Sequence, residues 1–277
     1  MNVLIPTDFS ENSWNAVRYA ASLLEEVRAN FTLLHVYIAN SAETGPSMYG
    51  NGISLRQYTA ANVRLQLKEW EERVRTEFHN PKHTVNSRIE NNFFIRGVRK
   101  TVEDEACELI VMGTKGASGL KKYTVGSNAG DVITKVKCPV LVIPENADFC
   151  MPKHIAFPTD FNLVFKNRII ETLQRMCGLF QSHLHVVHVQ HKEMPLNETQ
   201  DANKSFLDNS LEGISHSFHT SLEADLEEAI QQFVDKREID MIAMVAKNLN
   251  FFQRILFKPT VKKMSYQTKV PFLVLHE

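Results

Sequence analysis

The sequence predicts an α/β fold built twice in one chain, each copy a parallel, doubly wound sheet with helices on both faces. Three observations carry this: an internal repeat, short apolar runs alternating with helical periodicity, and a glycine cluster beyond one run. Val3-Leu-Ile-Pro-Thr-Asp-Phe9 returns as Ile155-Ala-Phe-Pro-Thr-Asp-Phe161, 152 residues later. Leu33-Leu-His-Val36 returns as Val186-Val-His-Val189 after 153 residues. Ile110–Lys115 and Lys137–Glu145 return as Ile242–Lys247 and Lys269–Glu277, both after 132. Four matches in one order mark a tandem duplication. The joint lies near Asn146–Pro152, giving domains 1–147 and 152–277, the second about 20 residues shorter in its middle.

The elements follow in order. Val3–Ile5 is a short apolar run ended by Pro6, and Phe31–Ile38 a second. Between them Trp14, Val17, Ala20, Ala21, Leu24 and Val27 recur at helical spacing, with Ser10 or Asn12 placed to cap the start. Ala39–Ser54 holds Gly45, Pro46, Gly50 and Gly52 and reads as a loop. A longer helix is expected over Tyr58–Phe78, with Leu65 and Val74 inward and Lys68/Glu72 and Glu69/Arg73 as surface pairs. Then come a strand near Thr84–Ile89, a helix near Val98–Cys107 and the buried strand Leu109–Met112. A glycine loop leads into a helix over Ser127–Lys137, and Val140–Ile143 closes the copy.

Composition excludes several classes. With 43% apolar and 23% charged residues in 277, the chain can build a proper core, so disorder and collagen-like readings fall. Net charge is −1, so no global field draws nucleic acid or anionic lipid. Apolar runs such as Leu109–Met112 are far short of the roughly 18 residues of a membrane helix. The start, MNVLIPTDFSEN, lacks the basic region of a signal peptide. Cys107, Cys138, Cys150 and Cys177 show no zinc spacing and read as reduced cytosolic thiols.

The 11 glycines are unevenly placed, nine before residue 148 and two, Gly178 and Gly213, after it. In an open parallel sheet, ligands bind beyond the carboxyl ends of the strands. Asp8 falls there, just past the first strand, as does Gly113-Thr-Lys-Gly116-Ala-Ser-Gly119 past the fourth, followed by Gly126-Ser127 opening a helix. Glycines let the backbone approach a phosphate, and a helix start adds unpaired N–H groups. Ser127 can donate to a phosphate, and Asp8 can accept from a base amine or a ribose hydroxyl. The competing reading is that the glycines serve tight turns and Asp8 caps a helix. No glycine is followed by Lys-Ser or Lys-Thr, so this is not a Walker motif.

The pattern Gly113-x2-Gly116-x9-Gly126-Ser127, with Pro6-Thr7-Asp8 before it and Val140–Ile143 after it, resembles the universal stress protein family. The likeness covers the whole first copy, and the second copy resembles the same framework. It implies two Rossmann-like domains of the adenine nucleotide alpha hydrolase-like kind, each a five-stranded parallel sheet. It implies cytoplasmic location, a role in stress response, and ATP or another adenine nucleotide as ligand, with or without Mg. It also implies that the last strands of the two copies pair in an intrachain pseudo-dimer, with a homodimer as a further option. By that resemblance Pro6, Thr7 and Asp8 match the base and ribose segment, and Val36 the residue beside the base. Met112, Gly113 and Gly116 match the glycine loop, and Gly126-Ser127 the phosphate-facing turn. Lys115 stands where some members carry histidine, and Asn128-Ala129 replace a Val-Thr of one ATP-binding branch.

At the 132-residue offset, Gly113 becomes Val245, Gly116 becomes Asn248, Gly126 becomes Lys258 and Ser127 becomes Pro259. Proline removes an N–H at the turn, and bulkier side chains crowd a phosphate. Asp160 survives without these partners, so ATP binding is expected in the first copy alone. Lys247, Lys258, Lys262 and Lys263 read as a solvated basic surface. His183, His185, His188 and His191 invite a zinc reading, but period-two geometry puts His183 and His185 on one strand face and His188 on the other. Three functions compete: an ATP-binding regulatory module, a nucleotide-independent interaction protein, and a slow ATPase. The enzyme reading is weakest, because neither paired carboxylates nor a Ser-His-Asp arrangement is visible.

Overall fold

The computed structural model describes residues 1–38, 60–114, 127–145, 147–162, 167–190, 192–223, 225–246 and 269–276. The first half runs β1 (Asn2–Pro6), α1 (Glu11–Leu23), β2 (Ala29–Tyr37), α2 (Ala60–Glu77), β3 (His83–Asn91) and α3 (Phe94–Asp104). It continues with β4 (Leu109–Gly113), α4 (Ser127–Lys135) and β5 (Val140–Ile143). The second half runs β6 (His154–Pro158), α5 (Asn167–Phe180), β7 (His183–Gln190), α6 (Glu198–Ser210) and β8 (His216–Leu222). It ends with α7 (Leu226–Arg237), β9 (Met241–Val245) and β10 (Phe272–Leu275).

The strands form one ten-stranded sheet in the order β3-β2-β1-β4-β5-β10-β9-β6-β7-β8. The second half repeats the order of the first in mirror sequence, as a duplicated unit joined through its last strand must. Pairings inside each half are parallel, and the intervening helices supply the crossovers that parallel pairing requires. At the seam the sense reverses: Val140, Leu141 and Val142 of β5 lie opposite Val274, Leu273 and Phe272 of β10. These residues are almost completely buried. Such burial stabilises by about 1.5–3 kcal/mol for each Val, Leu or Phe side chain.

Successive side chains of a strand serve opposite faces, and the core divides accordingly. Val3 and Ile5 join Trp14 and Val17 of α1 and Leu67 of α2 on one face, with Leu173 of α5 and Leu207 of α6 further along it. Leu4 faces the other way, toward Val98 of α3, Val132 of α4 and, in the second half, Ile230 of α7. Burial on both faces explains why the inner strands read as continuous apolar runs rather than alternating ones.

Several sequence expectations need correction. Leu65 is 58% exposed, whereas Val63, Leu67 and Val74 form the buried stripe of α2. Leu65 lies two residues, about 200°, from Val63, which turns it outward. Arg73 pairs with Glu77 and Arg75 with Glu71, in place of the expected Glu69/Arg73 and Lys68/Glu72 pairs. The guanidinium of Arg73 also lies 3.7 Å from the centre of the Trp14 ring. Helix α3 starts four residues early, at Phe94, because Phe93 adopts the extended N-cap conformation without a polar side chain to signal it. The expected loop over residues 39–54 lies outside the described residues.

Both copies of Pro-Thr-Asp-Phe fold into the same turn. Phe9 and Phe161 take left-handed backbone angles, with φ 64° and 56°. A left-handed non-glycine residue is strained, so its surroundings must hold it there. The hydroxyls of Thr7 and Thr159 accept from the N–H of Phe9 and Phe161 at 3.0 and 3.1 Å. His35 and His188 contact the carbonyl oxygens of Thr7 and Thr159 at 2.8 and 3.0 Å.

Candidate functional site

Strand β1 pairs with β2 on one side and β4 on the other, so the chain direction of the crossovers reverses at β1. That is the switch point at which open parallel sheets bind ligands. A cleft opens there, and Pro6, Thr7, Asp8, Val36, Met112, Gly113 and Asn128 all line it. Ser127 is the first residue of α4. Lys115, Gly116 and Gly126 lie outside the described residues.

Each lining residue is positioned by local rules. Pro6 ends β1, and Thr7 N–H is still held by Leu34 of β2 at 2.8 Å. Asp8 Oδ1 accepts from the Ser10 N–H at 3.1 Å and from the Ser10 hydroxyl at 2.5 Å. Ser10 in turn is the N-cap of α1, its hydroxyl accepting from the Ser13 N–H at 3.3 Å. The Asp8 carboxylate is thereby tied to Ser10, which is itself the cap of α1, and Asp8 lines the cleft. Helix α4 presents its first turn, with unpaired N–H groups and the positive end of its dipole, at the cleft.

Gly113 has a packing reason that needs no ligand. A Cβ there would lie 2.9 Å from the backbone oxygen of Asn12. The close approach of β4 to the start of α1 thus already requires glycine.

Sequence reasoning did not assign Ser13, His35, Phe94, Thr114 or Ala129 to the site, yet they complete its lining. Ser13 shares a 3.0 Å contact with the Thr7 hydroxyl. His35 sits in the repeated Leu-Leu-His-Val, and Thr114 inside the quoted glycine run, so both carried a usable signal. Phe94 had none, since it depends on where α3 begins. Burial lowers the pKa of His35 below its ordinary value, against the opposing pull of the Thr7 carbonyl and the Asp8 charge. A carbonyl can only accept, so Nδ1 carries the proton toward Thr7. Phe9 stacks on this imidazole with ring centres 4.7 Å apart.

In the second half, side chains of α6 bond to the backbone of the equivalent turn, and Asp160 stays exposed. Gln200 and Asn203 of α6 donate to the backbone oxygens of Asp160 and Phe161 at 2.9 and 2.7 Å. Val245, standing for Gly113, is buried in the core. Asn248, Phe251, Lys247, Lys258, Pro259, Lys262 and Lys263 lie outside the described residues, as does His191. Among the described residues no group of three or more His, Cys, Asp or Glu is arranged to hold a metal.

Comparison with known proteins gives the family of the chain. The family model for the universal stress protein family matches residues 1–144. The chain belongs to the universal stress protein family. Universal stress protein MJ0531 of Methanocaldococcus jannaschii is 28% identical over 147 residues, 51% of this chain and 80% of that protein. MJ0577 of the same organism is 25% identical over 156 residues, 51% of this chain and 93% of that protein. A crystal structure of a universal stress protein from Archaeoglobus fulgidus covers 99% of this chain and 98% of its own, with TM-score 0.68 at 19% identity. That last likeness extends the fold of this universal stress protein across both halves. No helix among the described residues is long and apolar enough to cross a membrane.

Proposed function

We propose that this universal stress protein binds ATP, or another adenine nucleotide, in the first half only, and acts as a nucleotide-dependent regulatory or interaction module in stress response. The observation that carries the reading is the switch-point cleft lined by Pro6, Thr7, Asp8, Val36, Met112, Gly113 and Asn128. Its donor set suits a nucleoside. Val36, Phe94 and Met112 offer an apolar flank for a base, while Thr7, Asp8, Ser13 and Asn128 offer hydrogen bonds to a ribose. Gly116, Gly126 and Ser127, with Mg where it accompanies the phosphates, complete the proposed site.

Under this proposal residues 1–147 and 152–277 are two domains, the second a degenerate, structural copy. The β5–β10 pairing supports reading them as an intrachain pseudo-dimer, which leaves any homodimer to another surface. The reduced thiols of Cys107, Cys138, Cys150 and Cys177 suit a cytoplasmic setting.

The test is to denature the purified protein and identify released nucleotide by absorbance and mass. About one adenine nucleotide per chain is the expected result, and two would refute the assignment to one half. If none is released and ATP fails to bind at millimolar concentration, the protein is a nucleotide-independent interaction module instead.

A further inference from the structure

The second half carries four histidines, on the α7 side of the sheet, that nucleotide binding does not use. Strand β6 contributes His154, β7 contributes His183 and His185, and β8 contributes His219. His154 Nδ1 lies 3.1 Å from His185 Nε2, and His185 Nδ1 lies 3.1 Å from His219 Nε2. His183 is tied at both ring nitrogens, to Ser215 at 2.6 Å and Ser217 at 2.7 Å, with its ring centre 4.5 Å from His185. Phe233 of α7 closes over His185 and His219, at centroid distances of 5.9 and 5.1 Å.

The charges around this cluster are unbalanced. Arg237 of α7 adds positive charge to it, and Lys236 lines the same groove as His219. Asp240, after α7, is held by the backbone N–H groups of Lys153 and His154 and by the Cys150 thiol. His216 of β8 turns instead to Asp208 of α6. Among the described residues, no carboxylate bonds to the rings of His154, His183, His185 or His219.

Each nitrogen–nitrogen contact needs one N–H and one lone pair. His185 takes part in both contacts, so the line of three rings accepts one extra proton with its contacts intact. A second proton sets N–H against N–H, with the Ser217 hydroxyl, 2.8 Å from His219 Nε2 and already shared with His183, left to accept it. We infer that this cluster is an acid-triggered release confined to the second half: mild acid unpacks β6, β7 and β8 from α7 while the first half keeps its fold.

The direction of the linkage follows from the environment. Burial, then the neighbouring histidines and Arg237, push His185 down to about 4, and His183 and His219 move the same way, burial again leading. The unfolded chain therefore takes these protons first. Stability is complete above the ordinary histidine value of 6.5 and is lost as pH falls toward 4. Each proton bound only by the unfolded state lowers the folding constant about tenfold per pH unit. His216 opposes this, because its pairing with Asp208 raises its pKa despite burial. The first half has His35 moving in the same direction as the cluster, and the seam has His276, so the slope there is shallower.

Amide hydrogen exchange on the full chain at pH 7.5 and 5.5, corrected for intrinsic rates, tests the inference. Amides of β7 and β8 should lose at least about tenfold more protection than those of β1 and β2. Both tryptophans, Trp14 and Trp70, lie in the first half, so their fluorescence should stay unchanged. Equal loss in both halves, or no loss, overturns the inference. His185→Gln and, separately, His219→Gln should each shrink the acid-induced loss in β7 and β8. If whichever variant folds at pH 7.5 keeps the full loss, the cluster is not its cause.

Discussion

A Cβ on Gly113 would lie 2.9 Å from the carbonyl oxygen of Asn12 and 3.2 Å from its carbonyl carbon. These are backbone atoms at the start of α1 and cannot swing aside as a flexible side chain would. Gly113→Ala should therefore destabilise the nucleotide-free protein by about 1–3 kcal/mol. Urea unfolding followed by tryptophan fluorescence measures it, since both tryptophans report this half. An unchanged midpoint would show that the start of α1 gives way to the added methyl group.

Asp8 and Asp160 occupy the same turn in the two copies, each accepting an N–H two residues on, from Ser10 at 3.1 Å and Asn162 at 2.9 Å. Only Asp8 lines the cleft beside Gly113. Asp8→Ala should weaken ATP binding about tenfold, or ~1.4 kcal/mol, whereas Asp160→Ala should leave it unchanged. Gly126→Val should abolish binding. Calorimetric titration of the three variants separates these outcomes, and a loss on Asp160→Ala with the fold intact would move the site.

Glu108 joins the halves through a 2.6 Å ion pair with Arg175 of α5. It also accepts from the Asn2 N–H at 2.8 Å. Burial pushes its carboxyl up, but the Asn2 and Arg175 contacts outweigh that and hold it below the ordinary 4.5. Its contribution is thus complete above that value and fades as the pH falls below it. The two side chains remain 38% and 40% exposed, so a double-mutant cycle of Glu108→Ala with Arg175→Ala should give only about 0.2–1 kcal/mol of coupling. A larger coupling would mean that the pair acts within a wider network across the seam.

The fold was legible because a two-sided parallel sheet writes itself as apolar runs, and the duplication wrote it twice. Val3–Ile5, Leu109–Met112 and Val140–Ile143 all became strands for that reason. The errors fall where neighbours, not periodicity, decide. Leu65 faces outward because α2 rolls about the Val63–Leu67–Val74 stripe. Phe94 enters the site because α3 begins without a polar cap. His183 and His185 were visible as a pair, but His154 and His219, from flanking strands, join them only through the register of β6, β7 and β8. Cross-strand company of this kind leaves no spacing signal in a single chain.

Gly97 links the packing of α3 to the cleft. A Cβ there would lie 2.9 Å from Cγ2 of Val36 and 3.2 Å from Cβ of Glu90. In an exposed helix interior, glycine to alanine stabilises by roughly 0.5–1 kcal/mol. Here the β-branched Val36 has little freedom to yield, so Gly97→Ala should destabilise by about 1 kcal/mol instead. Val36→Ala removes both crowding methyl groups, and in that background the cost of Gly97→Ala should shrink to what the approach to Glu90 Cβ leaves. The four urea midpoints give the coupling directly, expected at up to about 1 kcal/mol. Because Val36 also lines the cleft, Gly97→Ala should weaken nucleotide binding without touching the nucleotide. Additive midpoints would show that Gly97 and Val36 do not compete for the same space.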